Sequence, residues 1–336
     1  RGWAAHVHGD APAFASWQAA LSALRSTAAG QSDQSLPAFV IADEAGPIGR
    51  VVDGDGFVLW NFRGDRALEL TAAFESGVEF HGFERGAVPK VRFAGMMQYD
   101  GDRKLPKRYL VEPPAIDGTL SAFLVATGLS QFAVSETQKF GHVTYFWNGN
   151  RSEPLDPELE RWQEIPSDRV SFDELPAMQA SAITDAVLTA LAATPPPSVI
   201  RLNWANGDMV GHTGKLAATI AAVEAVDREV GRLVAAVRAA HGVLLLTADH
   251  GNADDMWMRD KTGAALRGPA GRPAAKTSHT LAPVPLTIID ARPSASWQLR
   301  DDLPGAGLAN LAATAVTLLG YLPPAHMAPS LVRWLA

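Results

Sequence analysis

The sequence predicts an α/β protein built on a doubly wound sheet. Three observations carry this. Residues 199–204 form a short apolar run, residues 215–240 carry helical apolar periodicity, and residues 243–247 form a second apolar run. Strand, helix, strand is the βαβ unit with its right-handed crossover. The same alternation continues through the second half of the chain, as expected for a sheet covered by helices on both faces.

Taken in order, the start is unusual. Trp17, Leu21 and Leu24 fall at helical spacing, yet no strand precedes them, and the chain opens on Arg1. Either the N-terminus has been processed or trimmed, or an upstream part of the domain is missing. Residues 38–42 and 57–62 read as strands around a turn at Gly54-Asp55-Gly56, with a helix over 64–76 and a strand over 91–97. Residues 105–114 carry Pro106, Pro113 and Pro114 without periodicity and read as a linker or hinge. This splits the chain into regions 1–113 and 114–336. The second region begins with a helix over 119–127, where Leu120, Phe123, Leu124 and Thr127 share a face. Short strands follow over 131–136 and 142–147. An Ala-rich helix over 178–193 stops at Pro195-Pro196-Pro197. The helix over 215–240 places Ile220, Val223, Val230, Leu233, Val234 and Val237 on an apolar face and is capped by Gly242. Residues 243–247 read as a strand of the buried parallel type. A strand over 284–289 and a helix over 307–319 complete the pattern.

Composition narrows the function. Of 336 residues, 47% are apolar and 19% charged, which is ordinary for a globular protein. The net charge of −7, without a basic run, argues against nucleic acid or an anionic membrane as partner. It leaves room for a small anionic substrate held by local charge. The chain has no Cys, which excludes disulfides and thiolate metal sites and fits a cytosolic protein. No apolar run is long enough to span a bilayer and no signal peptide is read at the start.

Three turn-rich segments concentrate the chemistry: Asp208 and His212 after the 199–204 run, Asp249 and His250 after the 243–247 run, and His279 ahead of the 284–289 run. Carboxylate and imidazole hold catalytic divalent metals where thiolate is absent. In open α/β sheets ligands bind beyond the carboxyl ends of the strands. Asp208 and His212 are four apart, so one helical turn can aim both at one ion. Gly251 lets the backbone turn so that Asp249 and His250 both face a metal. Singly, each is more often a turn former or a packed His, but five at three strand-edge turns point to a metal site. Two ions a few ångströms apart are a standard device for phosphoryl chemistry. His6, His8, His81, His241 and His326 have no partner pattern. Asn61-Phe62-Arg63-Gly64-Asp65-Arg66 carries two Arg three apart, suited to forked recognition of phosphate or carboxylate. Lys139 lies between two strands, where it could neutralise a phosphoryl oxygen.

These strings resemble the cofactor-independent phosphoglycerate mutases of the alkaline phosphatase superfamily. The resemblance rests on Asn206-Gly207-Asp208-Met209-Val210-Gly211-His212-Thr213-Gly214, Thr247-Ala248-Asp249-His250-Gly251-Asn252 and Ser278-His279-Thr280. It also rests on the Asn61–Arg66 string, on Lys139-Phe140-Gly141-His142-Val143-Thr144 and on Trp147-Asn148-Gly149-Asn150-Arg151. Gly95-Met96-Met97-Gln98-Tyr99-Asp100 and Arg1-Gly2-Trp3 are similar to the plant and trypanosomatid branch. The resemblance implies an alkaline-phosphatase-like sheet plus part of a second α/β domain. Residues 1–113 would then be the C-terminal part of the transferase, or substrate-binding, domain, and 114–336 that of the metal-binding phosphatase domain. It implies interconversion of 3-phosphoglycerate and 2-phosphoglycerate in glycolysis and gluconeogenesis through a phosphoserine, with two Mn²⁺ or Mg²⁺ ions and no 2,3-bisphosphoglycerate. Asp208, His212 and His279 resemble ligands of one ion, Asp249 and His250 ligands of the other. Arg63, Arg66 and Lys139 resemble contacts to substrate phosphate and carboxylate. The protein is expected to be a cytoplasmic monomer.

The family's chain begins with a metal-binding Asp and the nucleophilic Ser, and neither matches a position here. Ser135, Ser152 and Ser278 lie in strings without that role. The 336 residues are therefore expected to be an incomplete, inactive piece of an active parent. The alternatives are a metal-dependent phosphatase or phosphodiesterase of the same superfamily, or an inactive fragment that binds metal or phosphoglycerate. The Arg63, Arg66 and Lys139 strings favour the mutase, because a hydrolase need not retain its dephosphorylated product. Closure about Pro106, Pro113 and Pro114 is expected to carry Arg63 and Arg66 toward the metal rim.

Overall fold

Period-two alternation sorts the side chains of the central strands onto two faces, and each face finds its own helices. The computed structural model describes residues 1–336 except 28–35, 63, 102, 113–115, 269–270, 272, 295 and 336. It divides into two units, Arg1–Ala115 and Ile116–Ala336. Arg63 and the hinge residues Pro113 and Pro114 thus lie outside the described residues.

In the first unit a π-turn at Ala4–His8 is followed by β1 (Ala13–Phe14), α1 (Trp17–Thr27), β2 (Val40–Asp43), β3 (Gly46–Pro47), β4 (Gly56–Leu59), α2 (Asp65–Glu75), β5 (Arg92–Met97) and β6 (Tyr109–Val111). The strands form two three-stranded sheets, β1-β2-β3 and β4-β5-β6. Gly54 sits at φ 93°, the left-handed region that the turn before β4 needs. Phe57 of β4 and Phe93 of β5 stack with ring centroids 5.4 Å apart, and Phe74 of α2 packs on both. β6 occupies part of the stretch expected to be a linker. It pairs parallel to β5, Gly95 with Tyr109 and Met97 with Val111.

The second unit contains α3 (Leu120–Ala126), β7 (Gln131–Glu136), α4 (Phe140–Val143), β8 (Glu160–Ile165), α5 (Ala180–Leu191), β9 (Val199–Asn203), α6 (Asn206–Gly211), α7 (Leu216–Ala239), β10 (Val243–Thr247), β11 (Leu286–Asp290), β12 (Trp297–Leu299), α8 (Leu311–Leu318) and β13 (Val332–Trp334). β7 is the centre of a parallel sheet ordered β8-β7-β9. Phe132 and Val134 point to one face and pack with Ile183 and Val187 of α5 and Leu233 and Val237 of α7. On another cluster Leu120 and Leu124 of α3 meet Val316 of α8, with Val199 of β9 against them.

Five points depart from the expectations. Residues 142–147 are not a strand: α4 and a run of turns occupy them, and Thr144 Oγ1 donates to Phe140 O at 2.7 Å. β8 was not foreseen, because Glu160-Arg161-Trp162-Gln163-Glu164-Ile165 is too polar to announce itself. On α7, Ile220 and Val223 are half exposed, and Ala222 and Ala225 are buried instead. The left-handed residue after α7 is His241, at φ 50°, rather than Gly242. β10 is antiparallel to β11, Val243 opposite Asp290 through Thr247 opposite Leu286, so the expected parallel pairing of β9 with β10 is absent among the described residues. Ile200 and Leu202 of β9 and Leu244 of β10 nonetheless lie against one apolar cluster. Among the described residues no helix is long and apolar enough to cross a membrane.

Candidate metal centre

The parallel strands deliver their polar residues at their carboxyl ends. β9 ends at Asn203, and α6 starts three residues later with Asp208 in its first turn, where a carboxylate meets the helix dipole favourably. Asn206 is fully buried and pins that helix start, its Nδ2 donating to Pro176 O and Ala177 O, both at 2.8 Å. His212 N bonds Asp208 O at 3.0 Å, so the four-residue spacing spans one helical turn, as the sequence implied. β7 ends at Glu136, and the following turn brings the buried Lys139 to Asp208, Nζ to Oδ2 2.5 Å.

His279 comes from a long excursion between β10 and β11. The excursion closes on itself where Gly251 and Thr280 bridge, Thr280 N to Gly251 O 2.8 Å. Thr280 Oγ1 donates to both carboxylate oxygens of Asp254, at 3.0 and 2.8 Å. A Cβ on Gly251 would overlap Thr280 Oγ1 and Asp254 Oδ1, so this closure requires glycine for space.

Three ligand atoms converge. His212 Nε2 and His279 Nε2 each lie 3.1 Å from Asp208 Oδ1 and 3.1 Å from each other. Asp208, His212 and His279 are the group of three or more ligating side chains found among the described residues. His212 Nδ1 is 2.5 Å from Thr277 O. A carbonyl accepts only, so Nδ1 carries the proton and Nε2 presents its lone pair. A carbonyl that holds one ring nitrogen in this way leaves the other nitrogen turned toward Asp208 and His279. Burial pushes the His279 imidazolium down, with Lys139 and the neighbouring histidines adding to this against the pull of Asp208, which favours the neutral ring. Burial alone would push the Asp208 carboxyl up, but hydrogen bonds from Lys139 and Asn252, with the charges of Lys139 and His212, hold it at about 2. The trio therefore sets one carboxylate oxygen and two imidazole Nε2 atoms around one point. Donor atoms about 2.1 Å from a shared ion stand roughly 3.0–3.4 Å apart in octahedral to tetrahedral geometry. The observed separations fit a divalent cation.

The other expected residues are placed as follows. His250 stacks on His279 with centroids 3.6 Å apart and planes 16° apart. Its Nδ1 is 3.3 Å from Gly251 O and its Nε2 3.6 Å from Asp249 Oδ2. Asp249 and His250 thus stand beside the trio as a pair, without a third ligating side chain among the described residues. Lys139 engages Asp208. Arg66 is exposed on the first turn of α2 in the other unit, and Arg63 is outside the described residues. Asn252 was not foreseen. Its Nδ2 donates to Asp208 Oδ1 at 2.9 Å and to Asp208 O at 3.2 Å, a contact between residues 44 apart that spacing does not signal.

A model of the Metalloenzyme superfamily matches residues 15–323. The 2,3-bisphosphoglycerate-independent phosphoglycerate mutase of Trypanosoma brucei brucei is 51% identical over 334 residues, covering 99% of this chain and 60% of its own. The 2,3-bisphosphoglycerate-independent phosphoglycerate mutase 1 of Arabidopsis thaliana is 46% identical over 336 residues, with the same coverage. The structure of Leishmania mexicana phosphoglycerate mutase at low cobalt concentration aligns with a TM-score of 0.96 and 49% identity, over 100% of this chain and 61% of that one. The chain spans about 60% of the length of the curated relatives it matches.

Proposed function

Because the chain belongs to the Metalloenzyme superfamily, we propose that the whole protein interconverts 3-phosphoglycerate and 2-phosphoglycerate with two divalent cations, Mn²⁺ or Mg²⁺, and without 2,3-bisphosphoglycerate. The convergence of Asp208 Oδ1, His212 Nε2 and His279 Nε2 carries this reading. These residues would hold one ion, and Asp249 with His250 would contribute to the second. Bound there, divalent ions activate an oxygen nucleophile and neutralise charge on phosphoryl oxygens. The Arg1–Ala115 unit would be part of the substrate-binding domain and the Ile116–Ala336 unit part of the metal-binding domain.

The chain's own residues have separate tasks. His212 and His279 present lone pairs, and Thr277 O fixes the tautomer of the first. Lys139 neutralises the Asp208 oxygen that faces away from the imidazoles, and its charge lies close enough to favour an anionic substrate. Arg63 and Arg66 would grip phosphate or carboxylate through their forked donors and retain the dephosphorylated glycerate. The reaction would pass through a phosphoserine, and none of Ser135, Ser152 and Ser278 is given the nucleophile's role. Ser135 is buried and donates to Asn203 O at 3.0 Å.

An enolase-coupled assay of the whole protein tests the reading. We expect turnover of 3-phosphoglycerate without added 2,3-bisphosphoglycerate, lost with a chelator and restored by Mn²⁺. Release of inorganic phosphate in place of 2-phosphoglycerate would make the protein a phosphatase. Turnover indifferent to chelation would overturn the metal assignment.

A further inference from the structure

We propose that Asn252 is a positioning residue for the metal ligand Asp208, and that Gly211 supplies the space that admits it. The proposal rests on the reading above, in which Asp208, His212 and His279 hold a divalent cation.

Asn252 is only 4% exposed, and both contacts of its Nδ2 go to Asp208, one to the carboxylate and one to the backbone carbonyl. Lys139 takes the opposite carboxylate oxygen. The carboxylate is therefore held from both ends. A partial rotation of the carboxylate would pull Oδ2 from Lys139 and Oδ1 from Asn252 together. What remains open on Oδ1 faces the two imidazole Nε2 atoms. Asp208 would thus offer the ion one oxygen and one direction. Asn252 follows the Asp249-His250 pair by two residues, so the same amide ties the loop bearing that pair to α6.

One observation separates this role from ordinary packing. A Cβ built on Gly211 would lie 2.5 Å from Asn252 Oδ1 and 2.9 Å from its Cγ. Gly211 is in α6 with no positive φ, so space rather than backbone freedom demands glycine there.

The test is a Mn²⁺ titration of the full 336-residue chain by calorimetry and electron paramagnetic resonance, with thermal melts of the metal-free form. The variants are Asn252→Ala, Asn252→Ser and Gly211→Ala, with Asn148→Ala as a buried Asn away from the site. We expect the Mn²⁺ dissociation constant to rise about 10–100-fold in each of the three, as for other groups that orient metal ligands. Asn148→Ala should lower the melting temperature and leave Mn²⁺ affinity unchanged. Gly211→Ala and Asn252→Ala combined should cost no more than the worse single variant, because both act through one amide. Mn²⁺ affinity within twofold of the parent in any folded Asn252 or Gly211 variant overturns the proposal. If Asn252→Ala fails to fold, Asn252→Ser and Gly211→Ala carry the same test. A parent chain that binds no Mn²⁺ removes the underlying reading, and the proposal with it.

Discussion

Two buried polar clusters sit on the β8-β7-β9 sheet, and they differ in what they gather. In the first half of the strands Arg201 donates through Nε to Val143 O at 2.6 Å, through one terminal nitrogen to Gln131 Oε1 at 2.9 Å, and through the other to Glu160 Oε1 at 2.5 Å. Asn148 Nδ2 reaches both Glu160 oxygens at 3.0 Å, and Leu155 N reaches Oε2 at 2.9 Å. Donors there meet acceptors. Beyond the carboxyl ends, Asp208 Oδ1 and two imidazole Nε2 atoms crowd together, each pair 3.1 Å apart. Buried side-chain oxygens without a hydrogen-bond partner occur in both regions, Asn148 Oδ1 in the first and Glu136 Oε1, Asn203 Oδ1, Asn206 Oδ1 and Asn252 Oδ1 at or just past the ends of β7, β9 and β10. The first cluster is built around a buried ion pair. The second gathers three ligand-type atoms around one point.

Breaking the Arg201–Glu160 cluster should give the largest change. Arg201→Met leaves the Glu160 charge buried without its partner. We expect a loss of about 3–5 kcal/mol in urea unfolding, with part of it recovered when Glu160→Gln is added. Full stability in the single variant would mean that the network contributes little.

Removing a proposed ligand should show the opposite profile. His279→Ala should weaken Mn²⁺ binding at least ~10-fold, by analogy with the loss of metal-site support, and change the metal-free stability by under about 1 kcal/mol. His279 is 39% exposed, so little burial is lost with it. Unchanged Mn²⁺ affinity would remove it from the ligand set.

How much of this was legible follows the range of each contact. Asp208 and His212 sit one helical turn apart, so their partnership is written in four residues. β7 and β9 are short apolar runs with turns at both ends. The contacts that finish the site are long-range: Lys139 to Asp208 spans 69 positions, Asn252 to Asp208 spans 44, and His279 arrives through a closure at Gly251 and Thr280. α4 was misread because His142-Val143-Thr144-Tyr145-Phe146-Trp147 has strand composition. Its last carbonyl, Val143 O, accepts from Arg201, 58 residues away. β8 was missed because its polar Glu160 is buried through long-range partners, Arg201 among them.

Acid probes a second saturated carboxylate. Asp290 accepts from Arg292 Nε at 2.9 Å, Arg292 N at 3.0 Å and Trp297 Nε1 at 2.7 Å, and Arg292 foremost holds its carboxyl at about 2. A carboxylate depressed in the folded state contributes fully above its unfolded value near 4, and the contribution disappears as pH falls through about 2. Urea unfolding across this window should lose about 2 kcal/mol from Asp290, with a shallower pH slope in Asp290→Asn. The same slope in both would contradict this.

The smallest effect belongs to a solvated pair. Arg232 and Asp185 are 40% and 61% exposed at 2.5 Å, so Asp185→Asn should cost under about 1 kcal/mol and respond to salt. A cost equal to that of Arg201→Met would erase the contrast between buried and exposed charge.

The central claim is that Asp208, His212 and His279 hold a metal. The direct measurement is an anomalous difference map from a crystal of the chain grown with Mn²⁺. The account predicts a peak about 2.1 Å from Asp208 Oδ1, His212 Nε2 and His279 Nε2, stronger than any peak at Asp249 and His250. No peak among those three atoms, or a dominant peak at Asp249 and His250, would contradict it.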